Sequence, residues 1–589
     1  MTSRSVLWLL SRCRTGARQA RACTAVLAAS AAAFLIPGIA AAKWEKAQPV
    51  DTAGTGYGTT DSNGALGVSS SGVAVALFFQ QAPDTPMGNL VGSPFLIRRG
   101  AGATTAWSKP AEIIAPAGQV DSFPGPALAV RRYGGALGLF AFNPSQGSAQ
   151  TLATHLPTNT AMPGMATPVL CTSAGTPECA ASSPQVAVDA SSNGYAVAST
   201  VLGGNGDILF ARTAQSTHAW DPAQVIAQGY SPRLAVDPAG DAVVTYARND
   251  PNAPSAMLGP FPRLYALRLL AGGSAWSTEQ LISGSSEVTD AVDPSGTALV
   301  IDKSGNATAA LAQGTEPQTG TSPPTGSATF AVRWPLGSAA PATESQISPA
   351  PQTEGGNADD AVLAVDPRGR VTAAWQVEAL NTTIYAAQYT PSSGWASGAQ
   401  VSPSNSTDSF SLPQLGADGL GTATLVYVDS SQSGSATLDA LRRPAGKPWS
   451  APAVISDSGT GAGGVVTGSV HVAAANPGQT DVIFVQALSS TNRLFATRFN
   501  DTTPPTITIT TPKKGSAHRL HSMVLAHYSC QDEPGGSGIA SCSGTVPDSK
   551  PINTSTSGKK TFTVTARDGA GNVARATVTY TVAAPPHRA

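Results

Sequence analysis

Leu234-Ala-Val-Asp237-Pro-Ala-Gly240, followed by Ala242-Val-Val-Thr-Tyr246, decides the architecture. It returns as Leu363-Ala-Val-Asp366-Pro-Arg-Gly369 before Val371-Thr-Ala-Ala-Trp375. Each copy is an apolar strand, a tight turn and a second apolar strand. Asp bonds the backbone two residues on, Pro presets φ, and Gly accepts positive φ at the end of the turn. The flanking residues are small or β-branched and rarely charged, which suits strands covered on both faces.

Weaker copies carry the turn residue at Asp189, Asp302 and Asp418. Three more copies lack it: Leu66-Gly-Val68, Leu128-Ala-Val130 and Val472-Ala-Ala474. A second phrase follows each hairpin: a strand such as Leu264-Tyr-Ala-Leu-Arg268, a Gly/Ser turn, then Trp276 and a short strand ending at Ile282. Trp107, Trp220, Trp395 and Trp449 mark its other clear copies. Four antiparallel strands repeated every ~57 residues predict a β-propeller. The expected fold is therefore all-β, with an eight-bladed β-propeller over residues 43–500. A seven-bladed count would make the Cys171 unit an insertion, and the Asp293-Pro-Ser-Gly296 phrase blurs the count upward. A row of immunoglobulin-like domains would need a repeat of about 90–100 residues.

The last unit, ending at Leu494-Phe-Ala-Thr-Arg498, has no Trp strand after it. Trp44-Glu-Lys-Ala-Gln-Pro-Val50 matches Trp449-Ser-Ala-Pro-Ala-Val-Ile455 in layout. The N-terminal stretch is therefore expected to supply the missing fourth strand and close the ring, removing free sheet edges.

Composition agrees with this reading. Of 589 residues, 12% are charged and 41% hydrophobic, with 60 Gly, 46 Pro and a net charge of -1. That balance argues against nucleic-acid binding, intrinsic disorder and long coiled coils. Residues 1–42 read as a signal peptide: Arg4, Arg12, Arg14, Arg18 and Arg21 precede the apolar Ala25–Ile36 run, and Ala40-Ala-Ala42 supplies a cleavage site. The apolar run is shorter than the ~20 residues of a membrane span. The expected mature protein is a secreted, extracellular monomer without a membrane span, associated with the cell wall in one version of this reading. Cys13 and Cys23 leave with the signal. Local pairing of the rest gives Cys171–Cys179 and Cys530–Cys542, each worth about 2–3 kcal/mol in the chain-entropy model.

After a stiff linker at residues 501–505, residues 506–583 alternate in strands and predict a small β-sandwich; residues 584–589 form a tail. Thr503-Pro-Pro-Thr-Ile507, Tyr528-Ser-Cys530, Ser541-Cys542 and Ala566-Arg-Asp-Gly-Ala-Gly-Asn572 resemble the bacterial immunoglobulin-like domains appended to secreted proteins. Gly272-Gly-Ser-Ala-Trp276-Ser and its copies are similar to the Asp-box phrases of sialidase-like propellers, without the Asp that precedes the Gly. That family has six blades. Its chemistry implies three arginines, a Tyr–Glu nucleophile pair and an acid/base Asp. Arg98 and Arg99 lie where such enzymes keep an arginine, although capping an exposed strand end suits them better.

No catalytic residue, cofactor site or metal site is expected. The repeated aspartates fit turns, and Glu112, Glu279 and Glu344 recur on outer strands. His518, His521 and His527 read as polar surface. Asn357-Ala-Asp359-Asp360 and Asp568–Asn572 lack the spaced ligands of a calcium loop. The expected function is extracellular binding or adhesion to a glycan or protein at the cell envelope, with a sialidase-like glycoside hydrolase as the alternative.

Overall fold

The computed structural model describes residues 43–584 apart from 52–59, 82–91, 102–105, 122–124, 146–147, 159–161, 172–178, 202–203, 250–261, 285–296, 315–326, 350–356, 379–380, 405–407, 432–435, 460–461, 489–490 and 534–535. Residues 1–42, expected to be a signal peptide, the Asp293–Gly296 phrase and residues 585–589 lie outside the described residues. The described residues are all-β, with no helix.

The repeat folds as antiparallel sheets whose strands follow chain order. One runs Ala298–Ile301, Ala307–Gly314, Ser327–Trp334, Ser345–Gln346. Three others share that layout, starting at Thr60–Val68, Asn357–Val365 and Asp408–Ala417. The Cys171 unit forms its own sheet around Ala136–Pro144. Two units are fused. In the strand Gln224–Val236, residues 224–229 pair as the outer strand of one unit, and residues 230–236 begin the next. No loop separates Gln224 from Val236, so one strand serves both sheets.

The first strands of successive units touch in cyclic order. Thr60–Val68 meets Ala127–Val130, and the series continues through Ser182–Val188, Gln224–Val236, Ala298–Ile301, Asn357–Val365, Asp408–Ala417 and His471–Ala473. His471–Ala473 then returns to Thr60–Val68. The arrangement is propeller-like.

Closure comes from the N-terminal stretch. Lys43 and Trp44 pair with Asn500 and Phe499, and Gln48 and Pro49 pair with Ala496 and Phe495. The Val50 N–H donates to Leu494 O at 2.9 Å, and Thr497 Oγ1 donates to Glu45 O at 2.6 Å. Arg99 reaches both Glu45 oxygens at 2.8 and 2.7 Å, and Gln479 Nε2 donates to Gly72 O at 3.2 Å. The last sheet is thereby tied to the first through backbone and charge together. Arg99 is 5% exposed, so the expectation that it caps an exposed strand end is corrected. A guanidinium held by Glu45 can be buried because its charge is matched.

Second strands are buried on both faces. All seven residues of Ala74–Gln80 and all six of Gly194–Ser199 are buried. This explains why the repeat reads as apolar runs without alternation. Core clusters span adjacent units: Val75 and Leu77 pack with Phe140 and Leu152, and Val243 packs with Leu311 and Val332.

The recurring aspartate does what its position predicts. Asp237 Oδ1 accepts the N–H groups of Ala239, Gly240 and Asp241 at 2.8–2.9 Å. Asp302, Asp366 and Asp418 accept turn N–H groups in the same way. Gly421 sits at φ +83°, and a Cβ there would lie 2.4 Å from the Asp366 carboxylate of the preceding unit. Gly421→Ala is therefore expected to lower the unfolding temperature measurably, because both the backbone conformation and the inter-unit contact exclude a side chain.

The C-terminal residues form two sheets. One pairs Thr506–Thr511 with His527–Gln531; the other runs Ala517–Arg519, Val573–Ala583, Gly558–Asp568, Ile539–Gly544. Burial alternates along Thr506–Thr511, as expected for strands with one wet face. Phe562, Val564, Tyr580 and Val582 form the core, with Cys530 and Cys542 packed against it. The strand His527–Gln531 is preceded by an isolated bridge from Leu525 to Pro551. Both disulfides, Cys171–Cys179 and Cys530–Cys542, are formed.

Candidate functional site

The inner strands carry a feature that the repeat phrase conceals. Register breaks between Ser182 and Gln185, Tyr230 and Arg233, Asp359 and Val362, and Ser411 and Gln414. Within these breaks Ser183, Ser231, Asp360 and Leu412 take φ of 51–54°. Such bulges re-aim the following side chain, and a non-glycine residue in this region costs about 1–3 kcal/mol. Three of the four share a signal: Ser183-Pro-Gln185, Ser231-Pro-Arg233 and Leu412-Pro-Gln414, each directly before the hairpin phrase. The signal is short and lies just upstream of the more regular turn residues, which carry the repeat.

The inner strands Gln224–Val236, Ala298–Ile301, Asn357–Val365 and Asp408–Ala417 line a groove of about 390 Å³ where they approach one another. Arg233, Asp360 and Gln414 give it polar groups; Leu299, Val362 and Leu412 give it apolar wall. Arg233 Nε donates to Thr297 O at 3.1 Å, which orients the guanidinium along the rim. A small concave site with a few fixed polar groups on an apolar wall is the usual form of a ligand pocket.

Arg98 and Arg99 do not face this groove. Arg98 donates to Thr158 O, and Arg99 belongs to the ring closure. A Tyr–Glu pair does exist. Tyr246 donates to Glu279, and Arg248 grips the same carboxylate at 2.8 and 2.6 Å. Tyr246 is wholly buried, and burial followed by the Glu279 contact pushes its hydroxyl pKa upward. The pair sits on Ala242–Asn249 and just before Gln280–Leu281, away from the groove-lining residues. Glu112 lies exposed on its outer strand.

The three C-terminal histidines make separate contacts. His518 Nε2 meets Ser516 Oγ at 3.0 Å, His527 Nδ1 lies 3.7 Å from Asp548, and His521 occupies a turn at φ 60°. They fall on two strands and a turn and are not brought together. Asp568 Oδ1 accepts from Gly571 and Asn572 at 2.7 Å, a turn role.

One unit exchanges its charges. Arg131 stands where other copies have Asp, and His155 stands where Arg268 sits in its unit. Arg131 Nη1 bonds His155 Nε2 at 2.7 Å, and the His218 ring lies 4.1 Å away. Burial, then Arg131, then His218 hold the His155 imidazole down at about 4. The exchange keeps a hydrogen bond at the turn while the acid is lost.

Asp439 is the opposite case. Burial and the neighbouring Asp429 push its carboxyl up to about 6 from an ordinary 3.8. The folded state then binds more protons than the unfolded state between those values. The stability this group confers is full below pH 3.8 and lost as pH rises through 6, by at most about 1.4 kcal/mol per pH unit. Asp439→Asn is expected to raise stability at pH 7.5 and to flatten that slope in urea unfolding at pH 5 and 7.5. A slope unchanged from that of the parent chain contradicts the assignment.

No known family profile matches the sequence, and no curated protein matches it. Among solved structures, the chain is similar to an ulvan lyase of polysaccharide lyase family 25, at 9% identity and TM-score 0.41, over 74% of this chain and 94% of that one. It is also similar to a protein of unknown function from Dyadobacter fermentans, at 11% identity and TM-score 0.38, over 78% and 99% of the two chains. A Hadza microbial sialidase, Hz136, aligns at 13% identity and TM-score 0.33, over 76% and 94%.

Among the described residues no helix is long and apolar enough to cross a membrane.

Proposed function

We propose that the eight repeat units are the blades of an eight-bladed propeller, that residues 506–583 are an immunoglobulin-like domain, and that the secreted chain binds a glycan at the cell envelope. The cyclic contact of the inner strands supports the blade count. The observation that carries the binding reading is the groove of about 390 Å³ with Arg233, Asp360 and Gln414 on its walls. Its volume suits a short saccharide segment. Guanidinium, carboxylate and amide groups match hydroxyl and carboxylate substituents, and the leucines match the apolar faces of a sugar ring.

The test is a glycan array, followed by calorimetry on the best ligand. Arg233→Ala and Gln414→Ala are each expected to weaken binding by about tenfold, the loss of one or two hydrogen bonds to a polar ligand. Absence of any glycan ligand, or undiminished binding in both variants, removes the proposal. Turnover of a fluorogenic sialoside would replace it with the sialidase-like reading.

A further inference from the structure

Asp501 follows directly on the Thr491–Asn500 strand and is 3% exposed. Its Oδ2 accepts the Ser537 N–H at 2.7 Å, and its Oδ1 accepts the Thr503 N–H at 3.1 Å. Asp532 and Glu533 face it from the loop after His527–Gln531. One carboxylate oxygen from each of the three residues lies within 4.8 Å of the others. Asp532 Oδ2 accepts the Gly538 N–H at 2.6 Å. Among the described residues no N–H or hydroxyl donates to its Oδ1 or to either Glu533 oxygen, although Glu533 is only 8% exposed and its carboxyl lies against those of Asp501 and Asp532.

Buried carboxylate oxygens without donors are costly, and three acids at one point compound the cost. The guanidinium nearest in charge, Arg442, stacks over the Phe499 ring at 3.5 Å and lies 3.9 Å from Asp418. Burial first, with Asp501 and Asp532 adding to it, pushes the Glu533 carboxyl up to about 8. Arg442 still feels the charge of all three acids, so three carboxyls share one guanidinium that also serves Asp418 and negative charge is in excess.

We infer that Asp501, Asp532 and Glu533 hold a calcium ion at the seam between the propeller-like ring and the C-terminal sheets. Calcium binds oxygen ligands at about 2.3–2.6 Å, so oxygens on one shell lie no more than about 5 Å apart, which this trio satisfies. A donor set of carboxylates alone favours calcium over zinc, which prefers nitrogen and sulfur. Water or backbone carbonyls complete the shell. The ion would join the end of the ring-closing sheet to a loop of the C-terminal part. It would thereby fix the angle between the two.

The experiment is calorimetric titration of calcium chloride into the chelator-treated full chain, with thermal unfolding in parallel. One calcium per chain is expected, with an affinity in the range of extracellular modules, about 10⁻⁴–10⁻³ M, and a higher unfolding temperature. Glu533→Gln and Asp532→Asn are each expected to weaken binding at least tenfold. Asp207→Asn, distant from the seam, should leave it unchanged. Absence of binding at 10 mM calcium, on the order of ten times the weakest expected dissociation constant, overturns the inference. So does binding that survives both variants. If Glu533→Gln raises stability while calcium has no effect on the parent chain, the carboxyls share a proton and the inference also falls.

Discussion

Removing residues 43–51 leaves a chain that no longer folds as a soluble species. The deletion takes away the strand paired to Thr491–Asn500, the buried Ala47, and the Glu45 carboxylate that neutralises Arg99. It also removes Asp51, which accepts from Arg493 Nε at 2.5 Å and from the Leu494 N–H at 2.7 Å. What remains is a long edge with unpaired backbone groups, a template for aggregation, and a buried guanidinium that has lost its bidentate partner and keeps Asp481 only at 3.9 Å. Size-exclusion chromatography should show the truncated chain in the void volume. A synthetic peptide of residues 43–51 added during refolding should return it to the parent elution position. A truncated chain that elutes and melts like the parent would show that closure contributes nothing.

Arg498→Ala should destabilise the protein by about 3–5 kcal/mol. Arg498 and Asp481 are both wholly buried, and the guanidinium meets the carboxylate at 2.7 and 3.1 Å. Truncating the arginine leaves the buried Asp481 charge with only the Gln479 Nε2 hydrogen bond at 2.9 Å and the Arg99 guanidinium at 3.9 Å, which under-compensate it. The size of the effect belongs to that stranded charge more than to the ion pair. Replacing both partners with apolar residues, Arg498→Met with Asp481→Leu, should therefore recover most of the loss. Urea unfolding of the single and double variants measures both. A single variant within about 1 kcal/mol of the parent, the range of an exposed pair, would mean that the site is wet.

The repeat, the ring closure and the two disulfides were legible because each leaves a local signature. The turn needs Asp and Gly at fixed spacing, the fourth strand begins with Trp, and the cysteines are close in sequence. Trp44 to Val50 could be matched to Trp449 to Ile455 because the closing strand keeps the layout of its relatives. The groove was harder to see. Its side chains are set by bulges at Ser231, Asp360 and Leu412; a following Pro marks two of them, but positive φ at a non-glycine residue is uncommon and Asp360 carries no such mark. Arg99 looked exposed because its partner Glu45 is distant in sequence and meets it only when the ring closes. The seam carboxylates were invisible for a related reason: Asp501 reads as a linker residue until Asp532 and Glu533 fold against it. Fusion of two units through Gln224–Val236 was hidden by the Trp220 phrase, which suggests a short strand and a loop where the chain continues as strand through the bulge at Ser231.

Closure by the N-terminal stretch places Lys43 beside Asn500 in an antiparallel pair. The chain therefore enters and leaves the ring at one point. A mechanical load applied across residues 43 and 501 would peel this pair apart one hydrogen bond at a time, as a zipper opens. The remaining sheets would carry no tension until the peel was complete. The weakest place under traction is the same strand that makes the ring continuous at rest.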